Sequence, residues 1–148
     1  GHPRLAAAPI TPLPTPYRLA LAETPIDAQN VFLFHKTTRR EVYTDALARH
    51  PEANDVLLWN DAGELTESCL ANVALELDGR WVTPARASGL LAGTYRQHLL
   101  AQGELTERVV TRDDLARCTG LRLLNSVREA WTPVWVDQAT VAPSGSGS

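Results

Sequence analysis

The chain has 148 residues, of which 44% are hydrophobic and 21% are charged, and these proportions are ordinary for a single soluble globular domain. A formal net charge of −3, without a clustered basic stretch, argues against a nucleic-acid-binding surface. No apolar run approaches the roughly 18 residues of a membrane-spanning helix, and we recognise no signal peptide. We therefore expect a cytoplasmic protein in which Cys69 and Cys118, which match no metal or CxxC spacing, are free thiols.

The two ends of the chain differ in composition from its middle. Six of the ten prolines fall within the first 25 residues, where they disfavour helices and central strands. We expect residues 1–16 to be a proline-rich linker from an upstream domain and residues 17–136 to form the folded domain. The serine- and glycine-rich residues 137–148 are expected to form a flexible tail.

Short apolar runs between turn residues predict strands, and apolar residues at helical spacing predict helices. In chain order, the predicted strands are 17–22, 31–34, 55–60, 64–66, 72–77, 80–83, 107–111, 121–124 and 133–136. The predicted helices are 38–49, 93–102 and 113–118. Strands predominate and helices are interspersed, so the sequence predicts an α+β fold. We expect a mixed, strongly curved, barrel-like sheet with flanking helices.

Lys36 is the only lysine of the chain, and it follows the apolar run 31–34. A lysine that leaves an apolar strand is partly desolvated, which favours the neutral amine that forms an imine with an aldehyde. A solvated lysine at the start of a helix is the alternative that the sequence leaves open.

Glu67 belongs to a segment of small and polar residues, 66–72, just ahead of a predicted strand. A carboxylate in such a loop is suited to the ring nitrogen of pyridoxal phosphate, whose aldehyde requires an amine such as Lys36. An exposed hairpin end is the alternative. Cys69 is a candidate nucleophile, but no histidine nearby in the sequence is available to activate it.

Two further segments have the residue types of an anion site. Glycines precede the helix that begins in the segment 89–96, and backbone N–H groups at a helix start favour a phosphate. Asn125 and Ser126 follow an apolar strand, where the hydroxyl of Ser126 can contact the same phosphate. An ordinary helix start and an ordinary polar strand end are the alternatives.

In this order, Lys36 and the segments 66–72, 89–96 and 125–126 resemble the C-terminal half of the fold-type IV (class IV) pyridoxal phosphate enzymes. This family includes branched-chain and D-amino-acid aminotransferases and 4-amino-4-deoxychorismate lyase. The run 32–40 is most similar to the lyases, especially to those fused behind aminodeoxychorismate synthase component I. The aminotransferases usually carry a tyrosine five residues after the lysine, where this chain has Glu41.

The resemblance implies pyridoxal 5'-phosphate as the cofactor and no metal. It implies that Lys36 bonds to the cofactor and moves a proton, and that Glu67 pairs with the ring nitrogen. The backbone N–H groups of Thr94 and Tyr95 and the hydroxyl of Ser126 are expected to bind the phosphate. Supporting positions near the cofactor or the substrate are expected for three more residues, namely Asn72, Arg40 and Arg96.

The implied reaction converts 4-amino-4-deoxychorismate into 4-aminobenzoate and pyruvate, in folate biosynthesis. The resemblance also implies a homodimer and an upstream fused synthase domain. One alternative is a class IV aminotransferase acting on branched-chain or D-amino acids. Another is a non-catalytic fragment, because family members carry an N-terminal domain that supplies part of the site.

Overall fold

A computed structural model describes residues 14–26 and 36–136, without the side chains of residues 36–39. The predicted strand 31–34, residues 1–13 of the predicted linker and the predicted tail 137–148 lie outside the described residues. The described strands are β1 Arg18–Leu21, β2 Asp55–Trp59, β3 Leu65–Ser68, β4 Asn72–Leu77, β5 Arg80–Pro84, β6 Thr106–Arg108, β7 Gly120–Asn125, β8 Glu129–Trp131 and β9 Val134–Trp135. The described helices are α1 Lys36–Arg49, α2 Thr94–Ala101 and α3 Asp114–Arg117, with a 3-10 turn at Arg86–Ser88.

The strands form two mixed sheets. The first has the order β3-β2-β1-β9, in which β1 is parallel to both β2 and β9 and β2 is antiparallel to β3. The second has the order β6-β5-β4-β7-β8 and is antiparallel except for the parallel pair β5 and β6. Asp78 and Gly79 both have positive φ, as the tight turn between β4 and β5 requires.

The main apolar core joins the two sheets. Buried residues of both sheets belong to one cluster, which includes Leu19, Val56, Leu57, Val73, Leu75 and Leu123. Tyr43, Ala46 and Leu47 of α1 pack against this cluster at helical spacing. Helix α2 packs elsewhere on the second sheet, where Tyr95 and Leu99 contact a smaller cluster that includes Ala74.

The predicted α+β class with mixed strand pairing is confirmed, but the described strands do not close into a barrel. The chain changes sheets between β3 and β4, where the N–H of Ser68 donates to the carbonyl of Ala71 at 2.8 Å. This tight turn sends β4 to pair with β5 and β7 instead of β3. Two sheets packed on a common core therefore replace the single curved sheet.

The main differences from the predicted strands are at β3, β6 and β8. β3 continues to Ser68, because the N–H of the next residue, Cys69, bonds to the carbonyl of Val56 at 3.1 Å. The prediction of a loop at Glu67 was therefore wrong, since this residue lies inside β3. β8 was not predicted; it returns antiparallel to β7 after a turn in which the side chain of Asn125 accepts two backbone N–H groups. β6 is shorter than the predicted strand and ends at Arg108.

Candidate functional site

Glu67 lies on β3 and is 4% exposed, so its carboxylate needs polar partners inside the protein. Its Oε2 accepts a hydrogen bond from the hydroxyl of Tyr43 on α1 at 2.5 Å. Its Oε1 accepts a hydrogen bond from the backbone N–H of Leu91 at 3.3 Å. A bulge in β3 sets Thr66 and Glu67 opposite the single residue Leu58, and bulges re-aim side chains in this way. The carboxylate thus lies where α1, β3 and the segment before α2 meet.

Asp55 is fully buried at the start of β2 and holds the end of β3. Its two oxygens accept four hydrogen bonds of 2.7–3.1 Å, from the hydroxyls of Tyr17 and Ser68 and the N–H groups of Val56 and Cys69. Burial raises the pKa of Asp55, and these hydrogen bonds offset only part of that effect. Because Ser68 and Cys69 directly follow Glu67, Asp55 fixes the backbone that carries Glu67.

Asn72 begins β4 and ties the segment before α2 to the second sheet. Its Nδ2 donates to the carbonyl of Leu91 at 2.8 Å, and its Oδ1 accepts the N–H of Gly93 at 3.1 Å. A Cβ on Gly93 would lie 2.6 Å from that Oδ1, which is closer than real Cβ contacts allow. Gly93 is the N-cap of α2, so this clamp fixes where the helix begins.

A cavity of about 200 Å³ lies between these elements, and we call it the Glu67 cavity. Four predicted site residues line it, namely Glu67, Asn72, Thr94 and Ser126. Tyr43, which was not predicted, lines it as well. The first turn of α2 lies at its wall, and N–H groups of a first helical turn lack intrahelical acceptors and favour an anion. The cavity therefore combines a buried carboxylate with an anion-favouring helix start.

Tyr95 and Arg96 are on α2, but their side chains do not line the Glu67 cavity. The ring of Tyr95 packs in the smaller apolar cluster, while its backbone N–H belongs to the first turn of the helix. The guanidinium of Arg96 is 2% exposed and donates to the carbonyl of Pro84 at 3.0 Å and to Oε2 of Glu107 at 2.8 Å. Arg96 therefore ties α2 to β5 and β6.

Lys36 is the first residue of α1, and its side chain lies outside the described residues. It precedes Tyr43 by seven residues, so the two positions share one face of the helix, about 10.5 Å apart along its axis. Arg40 lies between them on α1, is exposed and does not line the Glu67 cavity.

The thiol of Cys69 lines the Glu67 cavity but is 5% exposed. Burial, and then the nearby carboxylates of Asp55 and Glu67, raise the pKa of Cys69 to about 12, so the nucleophilic thiolate is scarce at neutral pH. Cys69 and Cys118 are both free, as expected. Within residues 14–26 and 36–136, no group of three or more acidic, histidine or cysteine side chains is arranged to hold a metal.

Tyr95 lines a different cavity, of about 340 Å³, together with Trp81 and Leu99, and none of the other predicted site residues lines that cavity. Another cavity, of about 480 Å³, lies between the β2–β3 turn and α3, where Arg112 and Asp113 supply its charged lining. Of the described helices, none has the length and apolar character required to cross a bilayer.

Sequence reasoning missed Tyr43 and Asp55 because each acts through a partner in another element. The available signal for Tyr43 was its position seven residues after Lys36, which places both on one helical face. The available signal for Asp55 was a carboxylate at the head of a wholly apolar run, where burial without a partner is unfavourable.

The amino-transferase class IV family profile matches residues 4–134. A protein of Schizosaccharomyces pombe, provisionally named an aminodeoxychorismate lyase, is 35% identical over 131 residues. The match covers 83% of this chain and 57% of that protein.

Solved structures are also similar to the chain. A provisionally named amino-acid aminotransferase from Mesorhizobium loti is 37% identical, with a TM-score of 0.75 over 87% of this chain and 65% of that chain. The 4-amino-4-deoxychorismate lyase of Pseudomonas aeruginosa is 23% identical, with a TM-score of 0.71 over 93% of this chain and 55% of that chain. At that identity the second likeness shows the fold alone. The chain spans less than two thirds of each of these three relatives.

Proposed function

The chain belongs to the amino-transferase class IV family, and from that premise we propose that the full-length protein is a pyridoxal-phosphate-dependent 4-amino-4-deoxychorismate lyase. The reaction releases pyruvate from 4-amino-4-deoxychorismate and leaves 4-aminobenzoate, whose aromatic ring supplies the driving force. The similarity to the S. pombe protein and the run 32–40, with Arg40 four residues after Lys36, support the lyase within the family.

The observation that carries the proposal is the buried carboxylate of Glu67 in a cavity whose wall includes the start of α2. Pyridoxal phosphate has a ring nitrogen that is protonated beside a carboxylate and a phosphate group that suits a helix N-terminus. The Glu67 cavity offers both environments, and Ser126 adds a hydroxyl to its lining. The residues present therefore fit the cofactor.

When bound, pyridoxal phosphate supplies an electron sink for the substrate carbon whose proton is removed. We assign Glu67 to hold the proton on the ring nitrogen, and Lys36 to attach the cofactor covalently and then to take the substrate proton. The N–H groups of Thr94 and Tyr95 and the hydroxyl of Ser126 bind the phosphate. Asn72 keeps the start of α2 in place for this contact.

Replacing the amine tests the proposal in the full-length protein. We expect Lys36→Ala to lower the rate of 4-aminobenzoate formation by about 100-fold or more, because the proton-transfer group is lost. Fluorescence of the released 4-aminobenzoate measures that rate. The matched control is Arg49→Ala at the other end of α1, where an exposed ion pair with Asp45 is lost and turnover should persist. Undiminished 4-aminobenzoate formation by Lys36→Ala would reject the assigned role.

A class IV aminotransferase is the second candidate, because the chain is 37% identical to the M. loti protein provisionally named an amino-acid aminotransferase. It would use the same Lys36 and Glu67 but return the amino group to a keto acid. Branched-chain or D-amino acids offered with 2-oxoglutarate, in parallel with aminodeoxychorismate, separate the two. Glutamate formation without 4-aminobenzoate would select the aminotransferase.

We also propose a homodimer, as the family resemblance implies, and a synthase domain on the same polypeptide, because the run 32–40 is most similar to lyases fused in that way. Sedimentation of the full-length protein measures the first, and the mass of the natural polypeptide measures the second. A monomer of the mass of a free-standing lyase would reject both.

A further inference from the structure

We propose that Tyr43 is a positioning residue that orients the carboxylate of Glu67 toward the ring nitrogen of the bound cofactor. The inference rests on the proposed cofactor site and goes beyond it, because it assigns a role to a side chain that does not itself react. The phenol hydroxyl of Tyr43 donates to Oε2 of Glu67 at 2.5 Å, and both side chains line the Glu67 cavity.

Two donors from different elements fix the rotation of this carboxylate. The hydroxyl of Tyr43 on α1 bonds to Oε2, and the N–H of Leu91, ahead of α2, bonds to Oε1. A hydrogen bond from a hydroxyl to an ionised carboxylate is shorter and about twice as strong as a neutral one, and 2.5 Å lies in its usual range. These two contacts set the plane of the carboxylate, with α1 bonded to Oε2 and the segment before α2 bonded to Oε1.

Helix α1 gives the Tyr43 contact a wider consequence. Lys36, the proposed attachment point of the cofactor, begins the same helix, and Tyr43 follows two turns later on the same face. Tyr43, Ala46 and Leu47 pack against the main core, which anchors the helix. One rigid element thus carries the residue for one end of the cofactor and the support for the carboxylate at the other end.

Tyr43→Phe removes the hydroxyl and keeps the ring that packs against the core. In the full-length protein we expect pyridoxal phosphate to bind about tenfold more weakly, the value of one hydrogen bond to a charged group. With 15N in the cofactor ring, we expect the nitrogen chemical shift to move toward that of unprotonated pyridine. A residue that only stabilises the fold would not move that shift.

Tyr17→Phe is the matched control, because it also removes a phenol that donates to a buried carboxylate. Its hydroxyl bonds to Asp55 at 3.1 Å, and neither Tyr17 nor Asp55 lines the Glu67 cavity. Asp55 keeps its hydrogen bonds to Ser68 and Cys69 in this variant, so Tyr17→Phe should lower the unfolding midpoint and leave the 15N shift of the cofactor unchanged. An equal change of the shift in both variants would overturn the proposal.

A double-mutant cycle with Glu67→Gln provides a second measurement. If Tyr43 acts through Glu67, Tyr43→Phe should weaken cofactor binding about tenfold in the natural background and by less than about twofold beside Glu67→Gln. Additive losses, or an unchanged 15N shift in Tyr43→Phe, would overturn the role of Tyr43. A protein that binds pyridoxal phosphate but forms no 4-aminobenzoate would reject the lyase alone, whereas failure to bind it at all would overturn both proposals.

Discussion

The side chain of Asn72 and the missing side chain of Gly93 form one steric unit at the start of α2. Asn72 makes two hydrogen bonds to the segment 91–93, and its Oδ1 occupies the space that a Cβ on Gly93 would need. Gly93 has a φ of −71°, which any residue adopts, so the requirement for glycine here is spatial. Glycine is required because the side chain of Asn72 lies so close to the backbone at this position.

This arrangement predicts that Gly93→Ala is harmful only while Asn72 is present. We expect Gly93→Ala and Asn72→Ala each to lower the free energy of unfolding by about 1–2 kcal/mol, through a clash and through two lost hydrogen bonds respectively. The double variant should be no less stable than Asn72→Ala alone. Urea unfolding measures all three, and strictly additive losses would contradict the shared-space explanation.

Sequence motifs identified individual residues that line the Glu67 cavity, but they did not identify the hydrogen bonds that hold these side chains in place. Glu67 and Asn72 stand in a short segment whose residue types are informative on their own. The hydroxyl of Tyr43 reaches Glu67 across 24 positions of sequence, and this contact depends on how α1 docks. The hydrophobic period predicts which face of α1 is inward, but not which polar group that face meets.

Helix α2 is held to the second sheet by a buried guanidinium. Arg96 donates to Glu107, which also accepts the N–H of Arg86 at 2.8 Å. The hydrogen bond from Arg86, followed by that from the Arg96 side chain, lowers the pKa of Glu107 below its ordinary value of 4.5. Because the pKa is lowered in the folded state, ionised Glu107 stabilises the fold above pH 4.5. This stabilisation is lost as pH falls through the lowered pKa.

Two variants separate the contributions of this pair. Arg96→Ala should lower the free energy of unfolding by about 2–4 kcal/mol, because a large buried side chain and its hydrogen bonds are removed. Glu107→Gln should cost less than about 1 kcal/mol, because its side chain is half exposed, and its deficit should disappear in acid. Chemical unfolding between pH 3 and 7 measures both, and a Glu107→Gln deficit that grows in acid would contradict the explanation.

Helices and strands were predicted most accurately where neighbouring residues in the sequence determine the local structure. α2 was expected at 93–102 and lies at Thr94–Ala101 between Gly93 and Gln102, because the glycines ahead of it and the apolar spacing are local signals. β8 escaped prediction because its residues carry no apolar alternation and its pairing with β7 depends on the side chain of Asn125.

For the whole molecule, the class of fold follows from the sequence but the division into two sheets does not. β1 pairs in parallel with β2, which follows α1, and with β9, which follows several further elements. The pairing of strands that are distant in sequence is determined by the packing of the complete core. The turn at Cys69–Ala71 resembles a hairpin connection in sequence, yet it moves the chain from one sheet to the other.

Asp55 connects β1, β2 and β3 at the centre of the first sheet, and its ionisation affects the stability of the whole domain. Burial raises its pKa above the ordinary value of 3.8, so the folded protein holds this proton more tightly than the unfolded chain. The stabilisation that protonated Asp55 gives the folded protein is fully present below the ordinary pKa. It is lost as pH rises toward the raised pKa. Across that window the loss is about 1.4 kcal/mol per pH unit.

Asp55→Asn removes this titration and keeps a side chain of the same shape. Its Oδ1 can still accept the N–H groups of Val56 and Cys69, and its amide can donate to the hydroxyl oxygens of Tyr17 and Ser68. The free energy of unfolding of Asp55→Asn, relative to the natural protein, should be level below the ordinary pKa of 3.8, rise as pH increases toward the raised pKa of Asp55, and then stay level. Subtracting the two profiles removes the opposite contributions of Glu107 and Asp114, whose pKa values are lowered. A difference that is constant across pH would mean that Asp55 titrates alike in the folded and unfolded chain, against the burial that the structure gives it.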